Sequence, residues 1–186
     1  MIRPLFAALL LSLPVAASAQ IMVVGSGDAE NCYKLTRDGN PGTPEAIQTC
    51  RAALEIGLLQ KDQAATHINT GILYMRSGDY EESRGHYESA IDLAPELPEA
   101  YINYGAALIY MYETDDAIAA LTKAIALSQT KTAGKLPEAL FNRSIAYDRN
   151  QDYKAAYLDL HRALELRPDW PPALAAIKRY NVKKPS

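Results

Sequence analysis

Small and large side chains recur at fixed spacing along three stretches of 34 residues each, 64–97, 98–131 and 137–170. At positions 8, 11, 20, 24, 27 and 32 the first stretch carries Gly71, Tyr74, Ser83, Tyr87, Ala90 and Pro95. The second has Gly105, Leu108, Ala117, Leu121, Ala124 and Gln129 in those places, and the third Ser144, Tyr147, Ala156, Leu160, Ala163 and Pro168. The order is small, large, small, large, small, then a helix breaker. Small residues let two antiparallel helices approach closely, and the large ones fill the space between them and the next pair. Gly78-Asp79-Tyr80 falls where one helix ends and the next begins, with Gly to terminate and Asp to cap. Thr114-Asp115-Asp116 and Asn150-Gln151-Asp152 supply polar turn chemistry at the matching places. Pro95 and Pro168 close their second helices, because proline has no backbone N–H to donate. Each stretch therefore predicts a helix-turn-helix, three in tandem.

This 34-residue pattern resembles the tetratricopeptide repeat family, strongly from about Ala64 to Pro168. Ala90-Ile91-Asp92-Leu93-Ala94-Pro95 and Ala163-Leu164-Glu165-Leu166-Arg167-Pro168 match it closely. Thr70 and Arg143 replace the usual Leu at position 7, Gln129 replaces the closing Pro, and five residues are inserted around Thr132 to Leu136. The resemblance implies an all-α, right-handed superhelical solenoid of antiparallel helix pairs.

Such an array must cover both ends, since each pair buries its apolar face only against neighbours. Residues 171–182 read as a capping helix, with Leu174 and Ile177 inward, Lys178 and Arg179 in water, and Trp170 beneath. Residues 28–63 read as a degenerate pair: a short helix from Asp28 to Leu35, a loop from Asp38 to Gly42, and a second helix opened by Thr43-Pro44-Glu45. Ala46, Cys50 and Ala53 repeat the small-residue spacing of a second helix.

The start of the chain is of another kind. Arg3, the apolar run Leu5 to Leu13, Pro14 and the small residues Ala17-Ser18-Ala19 form a secretory leader cut after Ala19. The run is too short for the roughly 30 Å hydrocarbon core of a bilayer, so no membrane insertion is expected. A polar linker, Gly25-Ser26-Gly27-Asp28, joins the apolar segment Ile21-Met22-Val23-Val24 to the first helix. That segment is expected to dock on its own fold or on a partner. Export makes a disulfide the leading reading of the two cysteines, Cys32 and Cys50, as a staple for the degenerate pair. A metal site there lacks a nearby histidine, and a catalytic thiol lacks a Cys-x-x-Cys motif. Without Arg3 the chain has 18 basic against 22 acidic residues, and no basic stripe to attract nucleic acid or an anionic surface. The compartment expected is a bacterial periplasm, or the exterior.

Catalytic chemistry finds no support in the spacing. His67, His86 and His161 stand at repeat positions 4, 23 and 25, none at metal-ligand spacing from another, so no metal or cofactor site is expected. Gly25 to Asp28 lacks the downstream lysine of a phosphate loop. Glu81-Glu82 and Asp115-Asp116 sit at helix starts, where they complement the helix dipole.

In the tetratricopeptide family, first helices line the concave face through positions 2, 5, 6, 9, 12 and 13. Carried onto this chain, that face has Ile68, Asn69, Ile72, Met75 and Arg76, then Ile102, Asn103, Ala106, Ile109 and Tyr110. Phe141, Asn142, Ile145, Asp148 and Arg149 complete it. The resemblance implies a protein-binding module, with the asparagines at position 6 bonding a peptide backbone. Members that grip a terminal carboxylate use lysines and arginines where this chain has Ile68, Ile72 and Glu138, so that clamp is not expected. An apolar strand or amphipathic helix is the ligand class expected, and a subunit whose groove one partner fills permanently is the alternative.

Overall fold

The computed structural model describes residues 3–4, 27–130 and 133–181. The leader's cleavage point and Ile21 to Val24 lie outside the described residues. The chain forms helix pairs in sequence order: α1 (Asp28–Arg37) with α2 (Pro44–Glu55), α3 (Gln60–Ser77) with α4 (Tyr80–Leu93), α5 (Pro98–Tyr110) with α6 (Thr114–Thr130), and α7 (Leu136–Arg149) with α8 (Tyr153–Leu166). A 3-10 turn, Ala133–Lys135, leads into α7, and α9 (Pro171–Ile177) follows the last pair. Packing is closest within each pair and next closest between adjacent pairs, as a solenoid requires. Among the described residues no helix is long and apolar enough to cross a membrane.

The alternating sizes do what their spacing implied. Tyr87, Leu121 and Leu160 at position 24 are at most 1% exposed. Tyr87 and Leu121 lie directly over Gly71 and Gly105: a Cβ on Gly71 would stand 2.5 Å from Tyr87 Cε1, and one on Gly105 2.6 Å from Leu121 Cγ. Ser83, Ala117 and Ala156 at position 20, and Ala90, Ala124 and Ala163 at position 27, are fully buried. Within the α3–α4 and α5–α6 pairs the large side chain of the second helix thus seats directly on the glycine of the first, with small buried residues on either side of it.

The turns share one backbone feature that composition hides. Position 15 adopts a left-handed conformation in all three repeats, at Gly78 (φ 90°), Tyr112 (φ 65°) and Gln151 (φ 62°). Only the first has the residue that tolerates it without cost. The Thr43 hydroxyl accepts from Ala46 N at 3.3 Å with Pro44 next to it, so α2 starts as its sequence implies. Asp152 caps α8 by accepting from Ala155 N at 3.0 Å, whereas the expected side-chain cap at Asp79 is not formed.

Departures from the usual residue at position 7 are satisfied locally. The Thr70 hydroxyl donates back to Thr66 O at 2.8 Å. Arg143 Nε and Nη2 donate to the two Asp159 oxygens at 2.7 and 2.8 Å, and its Nη1 reaches the Thr122 hydroxyl of the previous pair at 3.0 Å.

At the N-terminal end Cys32 and Cys50 form a disulfide between α1 and α2, with Cα atoms 4.7 Å apart and both residues fully buried. The C-terminal end differs from expectation. The capping helix α9 stops at Ile177, and Tyr180–Asn181 then runs extended, paired antiparallel with the backbone of Arg3–Pro4. Its inward face is Ala173 and Ala176, both fully buried, while Leu174 is 39% exposed. Ile177 packs partly buried against the same core, so the helix is turned from the orientation that Leu174 implied but keeps that of Ile177. Trp170 tilts against Phe141 with ring centres 5.0 Å apart, and Arg167 lies over its outer side at 4.7 Å.

Candidate functional site

The residues carried onto the concave face all lie on α3, α5 and α7, but the structure divides them into two groups. Ile68, Asn69, Ile72, Ile102, Asn103, Ala106, Ile109, Phe141, Asn142 and Ile145 are at most 7% exposed. Ile68 and Ile72 pack with Ala90, Ala100 and Leu97. Ile102 packs with Ala124, Leu136 and Leu140. Ile109, Phe141 and Ile145 join the largest core, which also contains Ala173, Ala176 and Tyr180. Asn69, Asn103 and Asn142 are each engaged within the fold. These side chains serve inter-repeat packing in this structure.

Met75, Arg76, Tyr110 and Arg149 are half-buried and stand at positions 12 and 13, near the C-terminal ends of their helices. The arginines tie adjacent repeats together. Arg76 Nη1 donates to Thr36 O at 2.9 Å and Asn40 O at 3.1 Å, and Arg149 Nη1 donates to Ile109 O. Each thereby caps the carbonyl end of the preceding first helix, where a cation is favourable. Tyr110 stacks on Tyr80 with centres 5.0 Å apart, and Arg149 covers the exposed ring of Tyr112 at 4.9 Å. The result is a ledge of aromatic rings and guanidinium groups beside the hairpin turns.

Asp148, the remaining residue carried onto that face, is covered by the chain's own C-terminal segment. Tyr180 Oη donates to Asp148 Oδ1 at 2.6 Å, and Arg179 Nη1 lies 3.3 Å from Oδ2. Burial, followed by this bond to a carboxylate, pushes the Tyr180 phenol above its usual range. Periodicity gave no sign of it, since the contact spans 32 residues and arises after α9 has ended.

The structure also joins two histidines that sequence spacing kept apart. His67 on α3 and His86 on α4 face each other with their Nδ1 atoms 3.0 Å apart. Tyr74 stacks on the His86 ring at 5.4 Å and 20°. Burial lowers the pKa of His67, and burial, then His67 and Arg51, lower that of His86 to about 4. His161 lies elsewhere, exposed and paired with Glu165. Among the described residues no group of three or more His, Cys, Asp or Glu side chains is placed to hold a metal ion.

The family profile described as tetratricopeptide repeat matches residues 64–97 and 137–170. Those two stretches match the tetratricopeptide repeat. The intervening pair α5–α6 repeats the same geometry with Gly105 under Leu121. Solved structures show the same fold. The crystal structure of MamA superposes with a TM-score of 0.66 at 21% identity, covering 83% of this chain and 82% of that one. The first tetratricopeptide domain of Spaghetti (RPAP3), solved bound to the HSP90 peptide SRMEEVD, gives 0.58 at 24% identity over 63% of this chain and 90% of that one. A sequence relative, the DnaJ homolog subfamily C member 3 homolog of Dictyostelium discoideum, is 26% identical over 158 residues. That match takes in 82% of this chain and only 29% of the relative's length.

Proposed function

We propose that this tetratricopeptide-repeat protein is a non-catalytic interaction module that holds a partner polypeptide, an extended peptide or amphipathic helix, along its concave face. The observation that carries the reading is the half-buried ledge Met75, Arg76, Tyr110 and Arg149, which three consecutive first helices present on one side. Aromatic rings and arginines are the residues on which protein interfaces most often anchor. A domain of this fold solved with a peptide bound supports the ligand class. The buried disulfide supports an oxidising, extracytoplasmic compartment, and a role in envelope assembly or transport fits such a location. Ile68, Ile72, Ile102, Ile109 and Ile145 are buried between repeats, so they add no exposed apolar patch that a permanent occupant would have to cover.

The test is capture of partners from envelope extract by wild-type protein and by a Met75→Glu, Tyr110→Ser variant. Changes at Ile72 or Ile109 would bury a carboxylate in the core and test folding instead. Loss of one captured protein by a variant that keeps wild-type helical content supports the concave face. Identical capture by both proteins refutes it.

A further inference from the structure

We propose that His67 and His86 form a binding site for one divalent transition-metal ion, with copper(II) the preferred cation. The geometry is the starting point. Nitrogens held about 2.0–2.1 Å from one ion lie about 2.9 Å apart at a right angle and about 3.3 Å apart at a tetrahedral angle. The two Nδ1 atoms are 3.0 Å apart, which suits adjacent corners of the tetragonal arrangement that copper(II) favours. Without metal the same spacing is that of an N–H···N bond, so one ring donates to the other. Burial favours the neutral form of both imidazoles. Binding then needs only that the donating ring move its proton from Nδ1 to Nε2, with no net proton released.

The fold fixes this pair for reasons unrelated to the histidines. Gly71, four residues after His67, lets α3 sit against Tyr87, the neighbour of His86. The same close approach sets the distance between the rings. Stacking by Tyr74 holds the orientation of His86. Both rings are only partly buried, so water can complete the coordination that two protein ligands leave open. Arg51 of α2 is the charged group felt by the pair, and its side chain is exposed and able to turn into solvent. His161, the third histidine, stands apart and provides an internal control.

Copper(II) is titrated into the full chain and followed by electron paramagnetic resonance and calorimetry. One equivalent is expected to bind with the hyperfine signature of two imidazole nitrogens. His67→Gln and His86→Gln are each expected to weaken binding roughly tenfold or more, because the chelate is lost with the second ligand, while His161→Gln leaves it unchanged. Should either pair variant fail to fold, copper broadening of the wild-type histidine ring signals decides. Selective loss of the His67 and His86 signals at substoichiometric copper supports the site, and earlier loss of His161 overturns it. Undiminished binding in both folded variants, or no nitrogen-coordinated copper in the wild type, also overturns it.

Discussion

At the scale of single residues, the turn between the helices of a repeat shows what a side chain costs its backbone. Gly78, Tyr112 and Gln151 take the same left-handed conformation, which costs a residue with a Cβ roughly 1–2 kcal/mol. Gln151→Gly is therefore expected to raise stability by about 1 kcal/mol, seen as a higher urea midpoint with an unchanged slope. Tyr112 is the poorer site, because its ring lies under Arg149. The histidine pair gives a second expectation. His67 and His86 both titrate below the usual imidazole value of 6.5, chiefly through burial, with His86 lowered to about 4. The unfolded chain then binds more protons than the folded one between those values. Stability should be full above pH 6.5 and fall as pH drops towards about 4. Urea midpoints measured from pH 7 to pH 4 should show this decline, and His86→Gln should flatten it. Neither feature was legible beforehand, since handedness at a turn and the meeting of residues 19 apart both depend on how two helices are placed.

Between elements, the first two repeats are held by a large side chain of one helix seated directly on a glycine of the other. Gly71→Ala would gain helix propensity, yet the new methyl would stand 2.5 Å from the Tyr87 ring. Overpacking of this kind typically costs about 1–3 kcal/mol, so a net loss of stability is expected on thermal or urea unfolding. Alignment of the small and large positions was enough to predict this arrangement. It was not enough to place the capping helix. Leu174 and Ile177 have the spacing of an inward face, but Ile177 alone of the two packs on the core, beside Ala173 and Ala176, while Leu174 turns outward. Arg143 is another case in which the partner decided the outcome. Read alone it is a charged residue where the family keeps Leu, and only the meeting with Asp159 makes its burial tolerable.

Over the whole molecule, stability is distributed along a line, so each end needs its own closure. The N-terminal pair α1–α2 has the Cys32–Cys50 bridge, and the last repeat has α9 and the Tyr180–Asp148 bond. Reduction of the disulfide is expected to destabilise the N-terminal pair by about 3 kcal/mol on the loop-entropy estimate. Hydrogen exchange should show faster amides in α1 and α2 with those of α5 to α8 unchanged. Uniform acceleration along the chain would mean that the array unfolds as one unit.

The sequence by itself determined the repeat length, the helix pairs, the close contacts at Gly71 and Gly105, and the pairing of Cys32 with Cys50. These follow from side-chain size and from separations along one chain, which a linear pattern records. Only the tertiary structure decided which of the residues carried onto the concave face are accessible, how Asp148 is covered, and that His67 meets His86. Those outcomes depend on the angle and distance between successive helices. Many residues share in setting these, and no single position announces them.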